Sequence, residues 1–240
     1  MARQFPKEEK VADFLREGII AGRFARGQRL KQQEIADRLQ TSITPVREAL
    51  KLLEAEGYVT ADNYRGATVA PFDIEASREV LDLRILLETR LVTSAVEKAT
   101  GHDIAELKVL AGEFARAFDA GDNKGARAAN YRFHHRLFAI AAMPQTLHFV
   151  QILWARYPFD LINRLEGRVS RAAEEHDEML GALIASDAAA AMLATRQHIE
   201  AGWQELQDSL QATTASPENL PANTGSGAGR RNQPQDQISE

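Results

Sequence analysis

The sequence predicts a mainly α protein, an N-terminal winged helix-turn-helix followed by a C-terminal all-helical bundle. Three observations carry that expectation. Apolar residues recur at helical spacing through most of the chain. β-prone runs occur as one close pair, Tyr58-Val59-Thr60 and Ala67-Thr68-Val69, around a turn-rich segment at 62–66. The 240 residues, 44% hydrophobic and 26% charged, suit two globular domains. Cysteine is absent, which excludes disulfides, thiolate zinc fingers, iron–sulfur clusters and a cysteine nucleophile.

The first unit is assigned residues 1–72. Val11, Phe14, Leu15 and Ile19 mark one helix, broken between Gly22 and Gly27. Leu30, Ile35, Ala36 and Leu39 mark a second, shorter one. In the turn Gln40-Thr41-Ser42-Ile43-Thr44-Pro45, Ser42 or Thr44 is placed to cap a third helix. Pro45 is tolerated in its first turn, where N–H groups lack partners anyway. Val46, Ala49, Leu50 and Leu53 give this helix its apolar side, and Gly57 ends it. The two β-prone runs then form a hairpin. In such a unit the third helix enters a DNA major groove and the hairpin flanks the duplex. Three-helix units also serve as structural or protein-binding modules.

The second unit is assigned residues 73–212 and reads as about six or seven helices. Val80, Leu83, Leu86, Leu87 and Leu91 mark one; Ile104, Leu107, Leu110 and Phe114 mark the next. Tyr131, Phe133, Leu137, Phe138, Phe149, Met179, Leu183, Met192 and Ile199 continue the series. Turn signals fall at Gly101, Gly121-Asp122, Met143-Pro144, Tyr157-Pro158 and Ser186-Asp187. Residues 213–240 are rich in Thr, Ser, Asn, Gly, Pro and Gln, a composition that cannot offset chain entropy by burial, so a disordered tail is expected.

The net charge of −5 conceals an asymmetry: residues 1–70 carry twelve cations against ten acids, and residues 71–240 seventeen against twenty-four. That is a mild dipole and not a strongly basic chain. Arg23, Arg26, Arg29 and Lys31 nevertheless share an acid-free stretch, suited to phosphates or to a solvated loop. Apolar runs fall short of the roughly 18 residues of a membrane helix, and the first ten residues lack the apolar core of a signal peptide. A cytoplasmic protein without membrane contact is expected.

Three of the six histidines sit where a bundle can gather them. Asn130 and His134 are one helical turn apart. His176 lies on a helix whose buried side holds Met179, Leu180 and Leu183. His198 shares its face with Ala191, Ala194 and Gly202, small residues that leave room. Three imidazoles and a side-chain oxygen suit zinc, nickel or a similar divalent ion. Any one of these histidines alone is more often a hydrogen-bonded core residue than a ligand.

The segment Leu30-Lys-Gln-Gln-Glu-Ile-Ala-Asp-Arg-Leu-Gln-Thr-Ser-Ile-Thr-Pro-Val-Arg-Glu-Ala-Leu50 resembles the winged helix of GntR-family transcription regulators. So do Leu52-Leu-Glu-Ala-Glu-Gly-Tyr-Val59 and Arg65-Gly-Ala-Thr-Val69. The remainder is similar to the FCD (FadR-C-terminal-like) effector domain of that family, through Leu83-Arg84 with Glu88, Asn130-x-x-Phe133-His134, Glu175-His176 and Gln197-His198-Ile199. The likeness covers about residues 11–210, with both motif sets in order.

The resemblance implies that Asn130, His134, His176 and His198 hold a divalent metal, zinc or nickel. Position 130 is often Asp in the family. Asn here leaves the site near +2 rather than +1, which lowers metal affinity and raises attraction for an anion. Arg84 is a candidate for a bidentate pair with an effector carboxylate, or for an intrahelical pair with Glu88. Arg156 is a further candidate for the same cavity. On the DNA side Ile43 stands where the family usually has Arg, so guanine cannot be read there by hydrogen bonds. Arg47 and Thr44 are the expected direct contacts, with Ser42, Gln33, and Arg65 beside Gly66 at the wing tip. Arg47 has Ile43, Thr44, Leu50 and Lys51 one turn away, so no acid competes for it.

The expected protein is a homodimeric, ligand-responsive regulator of a double-stranded DNA operator. It reads as a repressor released by a small carboxylic acid bound at the metal site. A sensor of the metal itself and a metal-dependent hydrolase are the alternatives. The hydrolase reading lacks a His-Glu-x-x-His motif and an evident general base.

Overall fold

A computed structural model describes residues 6–62, 66–71, 76–162, 165 and 167–215. Helix α1 (Lys7–Ile20) buries Val11, Leu15 and Ile19 at four-residue spacing, with Glu8 and Glu9 favourably placed at its positive end. Helix α2 (Gln32–Arg38) is short because Leu30, expected in it, is extended instead: its N–H donates to the Ala67 carbonyl at 2.9 Å, beside an Arg29–Thr68 bridge. Helix α3 (Ile43–Glu56) starts after Ser42, whose side chain makes no capping hydrogen bond, and ends at Gly57 with φ +86°. That left-handed conformation lets the Tyr58 N–H close back on the Leu53 carbonyl at 2.9 Å. Strands β1 (Val59–Asp62) and β2 (Gly66–Val69) pair antiparallel with Val59 opposite Val69 and Asp62 opposite Gly66.

Helix α4 (Ser77–Lys98) opens the bundle and packs along α10 (Ala188–Ala215). Between them come α5 (Gly101–Asp119), α6 (Asn123–Ile140), α7 (Pro144–Ala155), the single turn α8 (Phe159–Ile162) and α9 (Arg168–Ile184). Helix α5 begins with a capping box in which Thr100 and Asp103 satisfy each other's backbone N–H. Leu91, Leu107, Phe133, Leu137, Phe138, Met179 and Leu183 are fully buried at its centre. The seven helices that follow the hairpin among the described residues agree with the expected number.

Four residues read as core markers face outward: Leu83 is 40% exposed, Leu86 64%, Phe149 57% and Met192 46%. Helical periodicity shows that a face is apolar but not what covers it. Arg65 lies outside the described residues, and so does the tail beyond 215. Helix α10 itself runs three residues into the stretch assigned to the tail, to Ala215.

The two halves share a continuous apolar core, running from Val11 and Leu53 to Trp154 and Leu137. Helix α1 lies against α6 and α7. Polar contacts reinforce the seam. The Tyr58 hydroxyl donates to the Gln151 carbonyl at 2.8 Å, and Arg26 donates to the carbonyls of Ala155 at 3.1 Å and Tyr157 at 3.3 Å.

Candidate functional site

Helices α6, α9 and α10 each send one imidazole to the same point: the ligand nitrogens of His134, His176 and His198 lie within 4.8 Å of one another. His134 Nε2 and His176 Nε2 are 3.1 Å apart. Two nitrogens bound to one ion at zinc-like distances stand about 2.9–3.4 Å apart, so this pair already has the spacing of two ligands. Phe133 stacks on His176 at 4.4 Å and Phe114 meets it edge-on, locking the ring. Burial pushes His134 and His176 far below the ordinary imidazole value, and it lowers His198 as well. All three are therefore neutral, the state a metal ligand needs.

His198 is oriented from behind. Its Nδ1 lies 2.6 Å from Glu175 Oε2, so Nδ1 carries the proton and Nε2 keeps its lone pair. Burial opposes the Glu175 charge, but hydrogen bonds from His198 and Arg168 outweigh it and hold the carboxyl below its usual value. Arg168 donates to both Glu175 oxygens at 2.8 Å. Glu175 stands in the Glu175-His176 motif of the sequence, which assigns it no role at the site. It orients the ring and sits on the side of Nδ1, with both oxygens taken, which is not the place of a general base. By contrast, the buried Nδ1 atoms of His134 and His176 have no partner among the described residues. If both rings are protonated there, two Nε2 lone pairs face each other across 3.1 Å, and a cation between them would resolve that repulsion. The residues present therefore fit a divalent metal.

Two adjoining clefts open beside this cluster and share Arg84, Asn130, Phe159 and His198 in their walls. Asn130 stands one turn from His134, which lines the smaller cavity. Arg127, Arg168 and Tyr157 complete the polar wall of the larger one. Ile20, the last residue of α1, lines the smaller. Among the described lining residues there are three guanidinium groups and no carboxylate. Arg84 makes the intrahelical pair with Glu88 at 2.7 Å, and Glu88 also accepts from the Trp154 indole at 2.8 Å. Its guanidinium lies over the Tyr157 ring at 4.2 Å. The two readings of Arg84 are therefore compatible: it is paired and it lines both cavities.

Ser42, Ile43, Thr44 and Arg47 are all exposed at the start of α3. Arg47 makes no hydrogen bond or ion pair among the described residues, while Lys51 pairs with Glu48. Gln33 is exposed and donates to Asp37 at 2.8 Å. Gly66 opens β2 opposite Asp62.

Residues 7–69 match the bacterial regulatory proteins of the gntR family, and residues 79–201 match the FCD domain. The chain belongs to the GntR family and carries an FCD domain. It is 30% identical over 184 residues to the HTH-type transcriptional regulator McbR of Escherichia coli K12, across 74% of this chain and 82% of that one. Against the HTH-type transcriptional repressor GlaR of the same organism it is 30% identical over 198 residues, 78% of this chain and 89% of that one. The solved structure of E. coli McbR/YncC covers 86% of this chain and 100% of its own, with a TM-score of 0.73 at 26% identity. This chain is thus a DNA-binding transcription regulator of GntR/FCD type.

Within the FCD domain the structure brings together Asn130, His134, His176, His198 and Arg84. It does not bring Arg156 to them: that side chain is exposed and rests beside Gly57 at the seam with the winged helix, 3.4 Å from where a Cβ on Gly57 would lie. Arg127 and Arg168 hold the places in the cavity wall that the sequence assigned to Arg156. Their only sequence signal was weak, Arg127 standing three residues before Asn130 and Arg168 seven before Glu175, each on the same helix face.

Proposed function

We propose that this regulator answers a small carboxylic acid bound in the FCD cavity, and that the free protein holds its operator as a repressor. The observation that carries this reading is the described cavity wall, with three guanidiniums, the neutral imidazoles of His134 and His198 and no carboxylate, which suits an anion. His134, His176 and His198, with Asn130, would hold a divalent ion such as zinc or nickel. When bound, such an ion would supply an open position for a ligand oxygen.

Residues 1–72 act as the DNA-binding unit and 73–212 as the effector and dimerisation unit. Ser42, Thr44, Arg47 and Gln33 face the operator, with Arg65 and Gly66 at the wing. A homodimer is supported by the apolar side chains left exposed on α4, Leu83 and Leu86. In it, two winged helices engage two half-sites together, so a change in their spacing weakens binding. Ligand binding shifts the population toward one placement of the winged helices. No helix among the described residues is long and apolar enough to cross a membrane, and the protein is read as cytoplasmic.

The test is thermal unfolding of the purified protein against a panel of carboxylic acids, with and without EDTA. Stabilisation by a subset of acids that EDTA abolishes is expected. Stabilisation that survives EDTA would move the role to Arg84, Arg127 and Arg168 alone, and no response to any acid would overturn the reading.

A further inference from the structure

The basic stretch between α1 and α2 holds four cations, and the structure gives three of them partners within the protein. Arg23 donates to Glu17 at 2.9 Å and lies over the Phe14 ring. Arg26 donates to the carbonyls of Ala70, Ala155 and Tyr157. Lys31 pairs with Glu34 at 2.6 Å. Arg29 is exposed and makes no hydrogen bond or ion pair among the described residues. Backbone pairing sets its place. The Gly27 N–H donates to the Val69 carbonyl, the Val69 N–H to the Gln28 carbonyl and the Leu30 N–H to the Ala67 carbonyl, each at 2.9 Å. Residues 27–30 therefore run as a third strand along β2, with Arg29 opposite Thr68.

Strand alternation then sorts the faces of this small sheet. Leu30, Val59, Ala67 and Val69 are buried in the core, which leaves Arg29, Thr68 and Thr60 in one cross-strand row on the outer face. The strand climbs toward the wing. Thr68 stands two residues from Gly66, about 7 Å along the ladder, and Gln33 follows Arg29 by four residues in the first turn of α2. Arg29 thus lies on the chain that joins the wing to the start of α2, the two elements that flank the third helix. A guanidinium pairs with a phosphate in bidentate geometry and releases a condensed counterion as it does so. We propose that Arg29 is a DNA-backbone contact of the winged helix, carried on the third strand of its sheet and donating to a phosphate between the wing and α2. This rests on the placement of Gly66 and Gln33 at the operator. It adds a residue that supplies affinity without reading a base.

The experiment uses the full chain with Arg29→Ala, Arg29→Lys and Arg47→Ala. Each is titrated over a series of salt concentrations against DNA from beside the protein's own gene and against a duplex of equal length and scrambled sequence. Arg29→Ala should bind both duplexes about fivefold more weakly for each winged helix engaged, and its slope of log affinity against log salt should fall by about 0.9 per winged helix. Arg29→Lys keeps the charge and should recover most of the affinity and the slope. An unfolding temperature equal to that of wild type shows that the loss is one of binding and not of folding. Wild-type affinity and slope in Arg29→Ala, or a loss confined to the gene-side duplex, would overturn the proposal; weakened binding by Arg47→Ala in the same titration would leave the DNA face standing. No loss in either alanine variant would overturn the DNA face and the proposal together.

Discussion

The Nδ1 of His198 lies 2.6 Å from the Glu175 carboxylate, and this contact decides which ring nitrogen faces the other two imidazoles. Glu175→Gln keeps the size of the side chain but can present an amide N–H to Nδ1, which would favour the wrong tautomer. Metal affinity, measured by competition with a chromophoric chelator, should fall about 10–100-fold. Unchanged affinity would restrict Glu175 to its pairing with Arg168.

Arg47 is exposed near the start of α3, with no acid holding it among the described residues. Replacing it with alanine should weaken operator binding by about 1–3 kcal/mol if it reads a base. If it meets a phosphate, binding should instead weaken evenly across sequences and the salt slope should fall by about one. A mobility-shift titration of DNA from beside the protein's own gene at two salt concentrations separates these. Equal retardation by wild type and Arg47→Ala would remove Arg47 from the interface.

Arg16 and Glu56 form a bidentate pair at 2.7 Å on both arms, each side chain 3% exposed. Removing one charge leaves the other buried, so Glu56→Gln should destabilise the fold by about 3–5 kcal/mol in denaturant unfolding. The double change Arg16→Met with Glu56→Leu should recover much of that loss, because apolar replacement removes both desolvation costs.

Asp103 accepts from the Thr100 hydroxyl and from the Thr100 N–H, and then pairs with Arg136; together these take its carboxyl from 3.8 down to about 2. Folding therefore favours the charged form. The stability it contributes is full above about pH 4 and is lost as pH falls toward 2. Asp103→Asn should lower the unfolding temperature at pH 7 and flatten its decline between pH 4 and 2. A variant with the same acid slope as wild type would show that the depressed carboxyl has no part in acid unfolding.

Much of the fold was legible from local chemistry. Gly57 after an apolar helix, Pro45 in a first turn and Pro158 after Tyr157 each act within a few residues, so their consequences can be read from spacing alone. Period alone places Leu30 in the second helix, where the structure has it extended. Its actual partner is the backbone at Ala67, a long-range pairing that no local pattern reveals.

By itself the sequence determined the winged helix, the helical bundle and the three histidines with Asn130, because turn residues and helical period act locally and the motifs occur in family order. Only the tertiary structure decided that Glu175 orients His198, that Arg84 is paired with Glu88 yet lines both cavities, and that Arg127 rather than Arg156 stands in the wall. Those outcomes depend on how helices far apart in the chain cross. The crossing is set by the packing of whole faces around Phe133, Leu137 and Met179, and it settles which polar group ends up opposite which.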